Sequence, residues 1–124
     1  EINVEFRNNN WIRGEVFGFL KREKLGFVCV DEPRIKGLIG AVVAATSDVS
    51  YIRMHGRNAA KWYTGEDSER YDYLYDRSEL EEWVPRIREL ERNATVTLIS
   101  FNNHPRGKAV QNAKMLLALL EQGI

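Results

Sequence analysis

The sequence predicts an α/β fold in which four parallel strands alternate with helices, as in half of an eight-stranded barrel or in a small open sheet. Residues 27–30 form a continuous apolar run, which is typical of a strand buried on both faces of a parallel sheet. Strand and helix patterns also alternate along the chain. This order favours parallel pairing with right-handed crossovers.

The first half of the chain predicts two strands, one helix and a crossover segment. Residues 2–6 alternate apolar and polar side chains, which indicates a strand. Residues 12–24 carry a helical apolar face, and Gly26 follows its end. After the buried strand, residues 34–48 are partly apolar but contain two glycines, so we expect an irregular crossover there.

The second half predicts two strands and two helices, with a long loop between them. Residues 49–55 alternate as a strand, and residues 56–77 form the polar loop. Ser78 and Glu81 are spaced as a capping box, which predicts that a helix begins there, and Pro85 should kink it or remove one bond. The remaining elements are a strand over residues 95–101 and a helix from Pro105 to about residue 121.

The composition excludes few functions, but its arginine content favours a search for anion binding. Eighteen basic and eighteen acidic residues cancel, which gives no general reason to expect binding to nucleic acid or a membrane surface. Twelve of the basic residues are arginines, which are suited to forked contacts with carboxylates or phosphates. The single cysteine, Cys29, allows no intrachain disulfide, so we expect the cytoplasm. No apolar run approaches the roughly 20 residues of a membrane span.

Five motifs, in order along nearly the whole chain, resemble the YecE-like family of uncharacterised TIM-type barrels, a domain of unknown function. They are Val4-Glu5-Phe6-Arg7 with Trp11, Val30-Asp31-Glu32-Pro33, Tyr51-Ile52-Arg53-Met54-His55-Gly56-Arg57, Arg70-Tyr71-Asp72-Tyr73-Leu74-Tyr75, and Phe101-Asn102-Asn103-His104 with Ala109 and Asn112-Ala113. The resemblance implies that residues 1–124 form one unit, the C-terminal half of a (β/α)8 barrel. Asn8 departs from the histidine that is usual in the family.

The resemblance also bears on the extent of the chain. The family's first four strands are absent, and the sequence begins with Glu1 rather than methionine. We therefore expect a fragment or an engineered half rather than a natural whole.

Polar side chains follow each of the four predicted strands. Because chemistry in barrels and open parallel sheets sits at the C-terminal ends of strands, these side chains form the candidate site. The alternative is that strand ends are polar because they meet water and cap helices. The residues are Glu5, Arg7, Asp31, Glu32, Arg53, His55, Arg57, Asn102, Asn103 and His104.

Two kinds of catalytic chemistry suit this set. Glu5, His55 and His104 are the candidates for acid–base catalysis. Glu5, Asp31, Glu32 and His55 offer the mixed nitrogen and oxygen ligands of a divalent metal, although no close pair such as His-Glu-x-x-His is present. The first functional hypothesis is thus an enzyme, or the remnant of one, acting on an anionic or phosphorylated small molecule.

An anion site is the better-founded interpretation of the arginines. Arg7, Arg53 and Arg57 offer forked donors, Asn102 and Asn103 add amides, and a helix opening at Pro105 presents free N–H groups. Barrels often bind phosphate in this region. The alternative is that the arginines pair with the neighbouring carboxylates.

The loop over residues 56–77 raises a second hypothesis, a nucleic-acid-binding module. Its aromatic residues are interleaved with basic ones, and Arg53, Arg57 and Trp62 would join the tyrosines as contacts. The loop nevertheless carries four basic and five acidic residues, so we expect its tyrosines to pack against the mouth of the barrel. The third hypothesis is a non-catalytic half-barrel folding unit.

The predicted topology also leaves both outer strands without a partner. Closure of a barrel needs about eight strands, and exposed edges invite pairing with another chain. We therefore expect a homodimer in which two copies rebuild one barrel. A monomeric open sheet is the alternative.

Overall fold

The computed structural model describes residues 1–123, apart from the side chain of Asp67. Its strands are β1 (Asn3–Val4), β2 (Gly26–Asp31), β3 (Val49–Met54) and β4 (Val96–Phe101). Its α-helices are α1 (Gly14–Glu23), α2 (Asp67–Arg70), α3 (Arg77–Asn93) and α4 (Lys108–Glu121). Single 3₁₀ turns are formed by Asn9–Trp11, Ala59–Lys61 and Pro105–Gly107.

The four strands form one parallel sheet in the order β1-β2-β3-β4. The prediction of an α/β fold with four parallel strands alternating with helices is therefore confirmed. In the crossover between β2 and β3, residues 34–48 form no helix or strand, as the glycines indicated.

The two faces of the sheet differ in what covers them. The helices pack on the face that carries Phe27 and Asp31, which we call the helix face. Phe17 of α1 packs against Phe27 with ring centroids 5.0 Å apart, and the indole N–H of Trp83 in α3 donates to Asp31. The large side chains almost fully buried in this core include Trp83, Tyr75, Phe27, Ile52, Met54 and Leu80.

The opposite side, which we call the open face, carries the alternate residues of each strand. On β4 these include Val96 and Leu98, which are 45% and 47% exposed. On β3 they include Tyr51 and Arg53, which pair in register with Leu98 and Ser100. The open face is thus exposed mainly at β4, whereas Val28 and Val30 of β2 are buried on the same face.

Cys29 lies on the helix face and is fully buried. Its thiol lies 3.7 Å from the carbonyl oxygen of Ala44 in the irregular crossover. Burial raises the pKa of this thiol to about 11, so the neutral form persists at physiological pH. Cys29 is therefore a core residue rather than a nucleophile.

Helix α3 begins two residues earlier than the capping-box spacing of Ser78 and Glu81 predicted. The cap is Asp76, whose carboxylate accepts from the backbone N–H of Glu79, while the Glu79 carboxylate accepts from the backbone N–H of Asp76. Ser78 instead donates its hydroxyl hydrogen to Asp76 over 2.8 Å. Pro85 lies inside a helix that continues to Asn93.

The prediction that the last helix begins at Pro105 is also wrong. Arg106 and Gly107 have φ values of 58° and 74°, which break the right-handed path after one 3₁₀ turn. The α-helix therefore begins at Lys108, and its first N–H groups lie further along the chain than the anion-site hypothesis placed them.

The long loop is organised by its aromatic residues. Trp62 and Tyr75 are buried, Tyr71 and Tyr73 are partly buried, and Tyr63 is 67% exposed. Four of these five side chains are thus at least partly buried, whereas their packing against the mouth of a barrel stays a prediction. No helix in residues 1–123 has the length and apolarity needed to cross a bilayer.

Candidate functional site

Strand alternation divides the polar residues at the C-terminal edge of the sheet into two groups. Asp31 shares the helix face with Phe27 and Cys29, whereas Glu5, Arg53 and His55 lie on the open face. The two groups lie on opposite faces and have different partners, so the ten residues predicted from the strand ends do not form a single site.

On the helix face, Asp31 is the centre of a saturated hydrogen-bond network. Arg57 donates to both of its oxygens, over 2.9 and 2.7 Å. Tyr75 and Trp83 each donate once more, over 2.7 Å. The Tyr75 hydroxyl in turn accepts from the backbone N–H of Gly56, which has a φ of 91°. The network ties β2, the loop and α3 together.

The electrostatics fit a structural role for this network. Burial alone would raise the pKa of Asp31, but hydrogen bonds from Arg57, Trp83 and Tyr75 outweigh it and lower that pKa. Burial beside the Asp31 charge raises the pKa of Tyr75. The charged forms of Asp31 and Arg57 thus stabilise each other, and both oxygens of Asp31 are hydrogen-bonded. Asp31 is therefore not free to bind a metal ion, and Arg57 is not free to bind an anion.

Asn103, another candidate for anion binding, is also part of the interior. It is fully buried, and its amide donates to the carbonyl of Tyr73 and to the side chain of Asn112 in α4. The Asn112 side chain also accepts a hydrogen bond from the backbone N–H of Tyr75 and donates one to the Tyr75 carbonyl. These amides hold the end of the loop against β4 and α4.

On the open face, Glu5 brings three of the predicted residues together. Its carboxylate lies 3.0 Å from Arg7, 3.0 Å from Arg53 and 3.3 Å from Nε2 of His55. Burial would raise the pKa of Glu5, but His55 and the two arginines outweigh it and lower that pKa. Glu5 is therefore an anion that holds two arginine side chains in place.

The histidines of the candidate site have different environments. His55 is buried, with Nδ1 3.3 Å from the side-chain amide of Asn102 and its ring beside Trp62 and Tyr71. His104 is exposed, and its Nδ1 donates to the backbone carbonyl of Asn102. Glu5 and His55 thus form a contacting pair, whereas His104 lies at the rim.

Glu32 is the most perturbed carboxyl group on this side of the sheet. It is 8% exposed, and its Oε1 has no hydrogen-bond partner in the described part of the chain. Burial, reinforced by the charge of Glu5, raises the pKa of Glu32 to about 7. Two carboxyl groups whose pKa values are shifted in opposite directions are a pattern found at sites of acid–base catalysis.

A cavity of about 190 Å³ opens beside Glu32. Arg7 and Arg70 line it together with Trp62, and the Arg70 guanidinium lies 5.8 Å from the Trp62 ring centroid. Pockets for drug-sized ligands measure roughly 300–1,000 Å³. This cavity therefore has room for a small group, and its lining includes two arginines and a protonatable carboxyl group.

The four residues suggested as metal ligands are not brought together. Glu5, Glu32 and His55 lie towards the open face, while Asp31 is held on the helix face by Arg57. Within residues 1–123, no three His, Cys, Asp or Glu side chains that the structure describes cluster closely enough to hold a metal ion.

Comparison with known families accounts for the fold. The family model described as "Protein of unknown function DUF72" matches residues 1–124. The chain belongs to this family. The resemblance drawn from the five motifs is thereby confirmed, and the family's description assigns no activity.

Individual DUF72 relatives show how much of the protein this chain represents. It is 33% identical to the UPF0759 protein YunF of Bacillus subtilis (strain 168), covering 95% of this chain and 46% of YunF. A solved DUF72 family protein from Thermotoga maritima MSB8 is 41% identical with a TM-score of 0.93, over 98% of this chain and 46% of that one. One from Enterococcus faecalis V583 is 28% identical with a TM-score of 0.87, over 97% and 47%. The chain thus spans about half the length of these DUF72 relatives.

Sequence reasoning did not include two of the residues that line the cavity, Tyr63 and Arg70, in the site at the strand ends. Arg70 and Tyr63 lie in the long loop, far from any strand end, although Arg70 belongs to one of the quoted family motifs. The interleaving of basic and aromatic residues was the available indication. It was interpreted as a possible nucleic-acid surface, but Trp62 and Tyr75 are buried and Arg57 is paired with Asp31.

Proposed function

We propose that the cavity beside Glu32 binds a small anionic group, a phosphate or a carboxylate, in a site that performs acid–base chemistry. The observation that supports this most strongly is that Arg7 and Arg70 line the same cavity as a buried, partly unpaired Glu32. An arginine carries five donors. The single Arg7 contact with Glu5 leaves most of its donors for a ligand.

In this proposal each side chain has a distinct role. Arg7 and Arg70 bind the anion, and Arg53 and Glu5 hold the arrangement rigid. Glu32, with a pKa near neutrality, carries the proton that is exchanged with the substrate. His55 is buried against Glu5 and orients the Glu5 carboxylate. Arg57, Asn103 and Asp31 have structural roles, and Asn102 fixes the His55 ring.

The proposal is confined to the cavity of this chain, which covers 46% to 48% of the length of the solved relatives. The buried, free thiol of Cys29 further supports a reducing compartment, the cytoplasm, as its location.

The test is binding of sulfate, whose charge does not change between pH 5 and pH 8, followed by thermal shift and calorimetry. We expect saturable stabilisation of the chain by sulfate. Arg70→Gln should weaken sulfate binding about tenfold or more, because a charged hydrogen bond contributes roughly 1.5–3 kcal/mol. Arg92→Gln, on an exposed site in the last turn of α3, is the matched control and should bind sulfate like the parent chain.

The pH dependence gives a second test. Sulfate should bind more tightly at pH 6 than at pH 8, because Glu32 is then largely protonated and no longer repels an anion. Glu32→Gln should remove most of this difference. Equal sulfate affinity in the parent chain, Arg70→Gln and Arg92→Gln would contradict the proposed site.

A further inference from the structure

The cavity beside Glu32 has an apolar and aromatic part as well as a charged part. It is lined by three charged residues and by three residues with apolar or aromatic side chains, namely Arg7, Glu32, Arg70, Leu38, Trp62 and Tyr63. An inorganic anion would need only the arginines. Sites for organic ligands are lined mainly by apolar and aromatic side chains, with a few polar groups that fix the orientation. The composition of this lining therefore favours an organic anion over an inorganic one.

The charged part contains two buried polar atoms without a partner. Oε1 of Glu32 and Nε of Arg70 are both buried, and neither has a hydrogen-bond partner in the described part of the chain. Such an atom costs stability unless a bound molecule satisfies it, so its presence in a native structure needs an explanation. Because both residues line the cavity, a ligand bound there is well placed to supply the missing partners.

Trp62 forms a fixed wall of the cavity. It is 8% exposed, and its ring meets the Tyr71 ring edge-on, with centroids 6.1 Å apart. The Trp62 ring centroid also lies 6.4 Å from that of His55 and 5.8 Å from the Arg70 guanidinium. A guanidinium at this distance from an indole is held by a cation–π attraction. Trp62 therefore helps to fix both the shape of the cavity and the position of Arg70.

Tyr63 is the aromatic residue of the lining that is least packed against the protein. It is 67% exposed, although it lines the same cavity as Trp62. Aromatic rings attract each other in offset-stacked and edge-to-face arrangements, and a tyrosine has few torsions to immobilise when it makes such a contact. Tyr63 is thus the side chain best placed to stack on a ring that enters the cavity.

We propose, as an extension that rests on the anion site proposed above, that the bound anion is carried on a single aromatic ring. The ring stacks on Tyr63 beside the wall formed by Trp62, and Arg7 and Arg70 bind the charged group. The cavity measures about 190 Å³, and sites for drug-sized ligands measure roughly 300–1,000 Å³, so its size favours one ring over a larger ring system. All six lining residues belong to this chain, so these contacts are available within the chain itself.

Three sulfate monoesters test the ring, because they share one anionic group and differ only in what that group carries. They are methyl, cyclohexyl and phenyl sulfate, and calorimetry measures their binding at pH 6, where Glu32 is largely protonated. Phenyl sulfate should bind about tenfold more tightly than methyl sulfate, as expected for one stacked aromatic ring. Cyclohexyl sulfate has an apolar ring without a π face, and it should bind more weakly than phenyl sulfate.

Substitutions place the ring and the charged group in the cavity. Tyr63→Ala should remove most of the preference for phenyl sulfate over methyl sulfate, and Tyr63→Phe, which keeps the ring, should retain it. Phe19→Ala removes an exposed aromatic ring of α1 that does not line the cavity, so this control should bind all three esters like the parent chain. Arg70→Gln should weaken the three esters alike.

The outcomes separate the aromatic ring from the anion site. Equal affinities for methyl and phenyl sulfate, or for cyclohexyl and phenyl sulfate, would overturn the aromatic ring and leave the anion site standing. A preference for phenyl sulfate that survives Tyr63→Ala would overturn it as well. Ester affinities that do not respond to Arg70→Gln would instead overturn the anion site, and with it the ring that this site is proposed to hold.

Discussion

Replacing Glu32 with glutamine should change the pH dependence of folding more than it changes the fold. Burial raises the pKa of Glu32 from 4.5 to about 7, so the folded protein holds a proton that the unfolded chain releases. The contribution of Glu32 to stability is fully present below about pH 4.5 and is lost as the pH rises through 7.

The size of the effect follows from the same two values. A difference of one pKa unit corresponds to about 1.4 kcal/mol. Between pH 5 and pH 8 the wild-type chain should therefore lose about 2–3 kcal/mol of unfolding free energy through Glu32, and the glutamine variant should not. At pH 8 Glu32→Gln should be the more stable protein, and at pH 5 the two should be within about 1 kcal/mol.

Urea unfolding at pH 5, 6, 7 and 8 measures this difference, with Glu23→Gln at the exposed end of α1 as the control. Taking the variant minus wild-type free energy at each pH removes the contributions of all other groups. A difference that stays constant from pH 5 to pH 8 would refute the reasoning about Glu32.

Three further predictions concern stability, and urea unfolding at pH 7 measures each. Asp31→Asn should destabilise the chain by about 3–5 kcal/mol because it leaves the Arg57 charge in a buried site without its partner, and a loss below 1 kcal/mol would contradict the network's role. Gly56→Ala should destabilise by about 1–3 kcal/mol, because φ is 91° and the new Cβ would lie 2.8 Å from Cβ of Tyr73. Asp76→Ala should cost about 0.5–2 kcal/mol by removing the cap of α3, whereas Ser78→Ala should cost less.

The strand pattern was the part of the fold that local sequence determines best. The apolar run of residues 27–30 and the alternation of residues 49–55 each gave a strand within one residue of its observed end. The N-cap residue of α3 was harder to predict, because the pair Asp76 and Glu79 has the same spacing as the pair Ser78 and Glu81. Nothing local distinguishes the two registers.

The sequence indicated the edge of the sheet at which the proposed cavity lies, but not which side chains share a face there. The run containing Asp31 is apolar on both sides, so its sequence does not reveal which face the helices cover. For that reason Asp31 and Arg57 were grouped with Glu5 and His55. Arg70 lines the same cavity as Glu32 only because of how the long loop folds, and strand periodicity does not predict how a loop folds.

The reactivity of the buried Cys29 thiol can report when the core of the protein opens. It is the only cysteine in the sequence, it is fully buried between β2 and the crossover, and burial raises its thiol pKa to about 11. An alkylating reagent should therefore react with it only when the core around β2 separates. Timed labelling followed by mass spectrometry would then measure how often the sheet opens under native conditions, with no engineered probe.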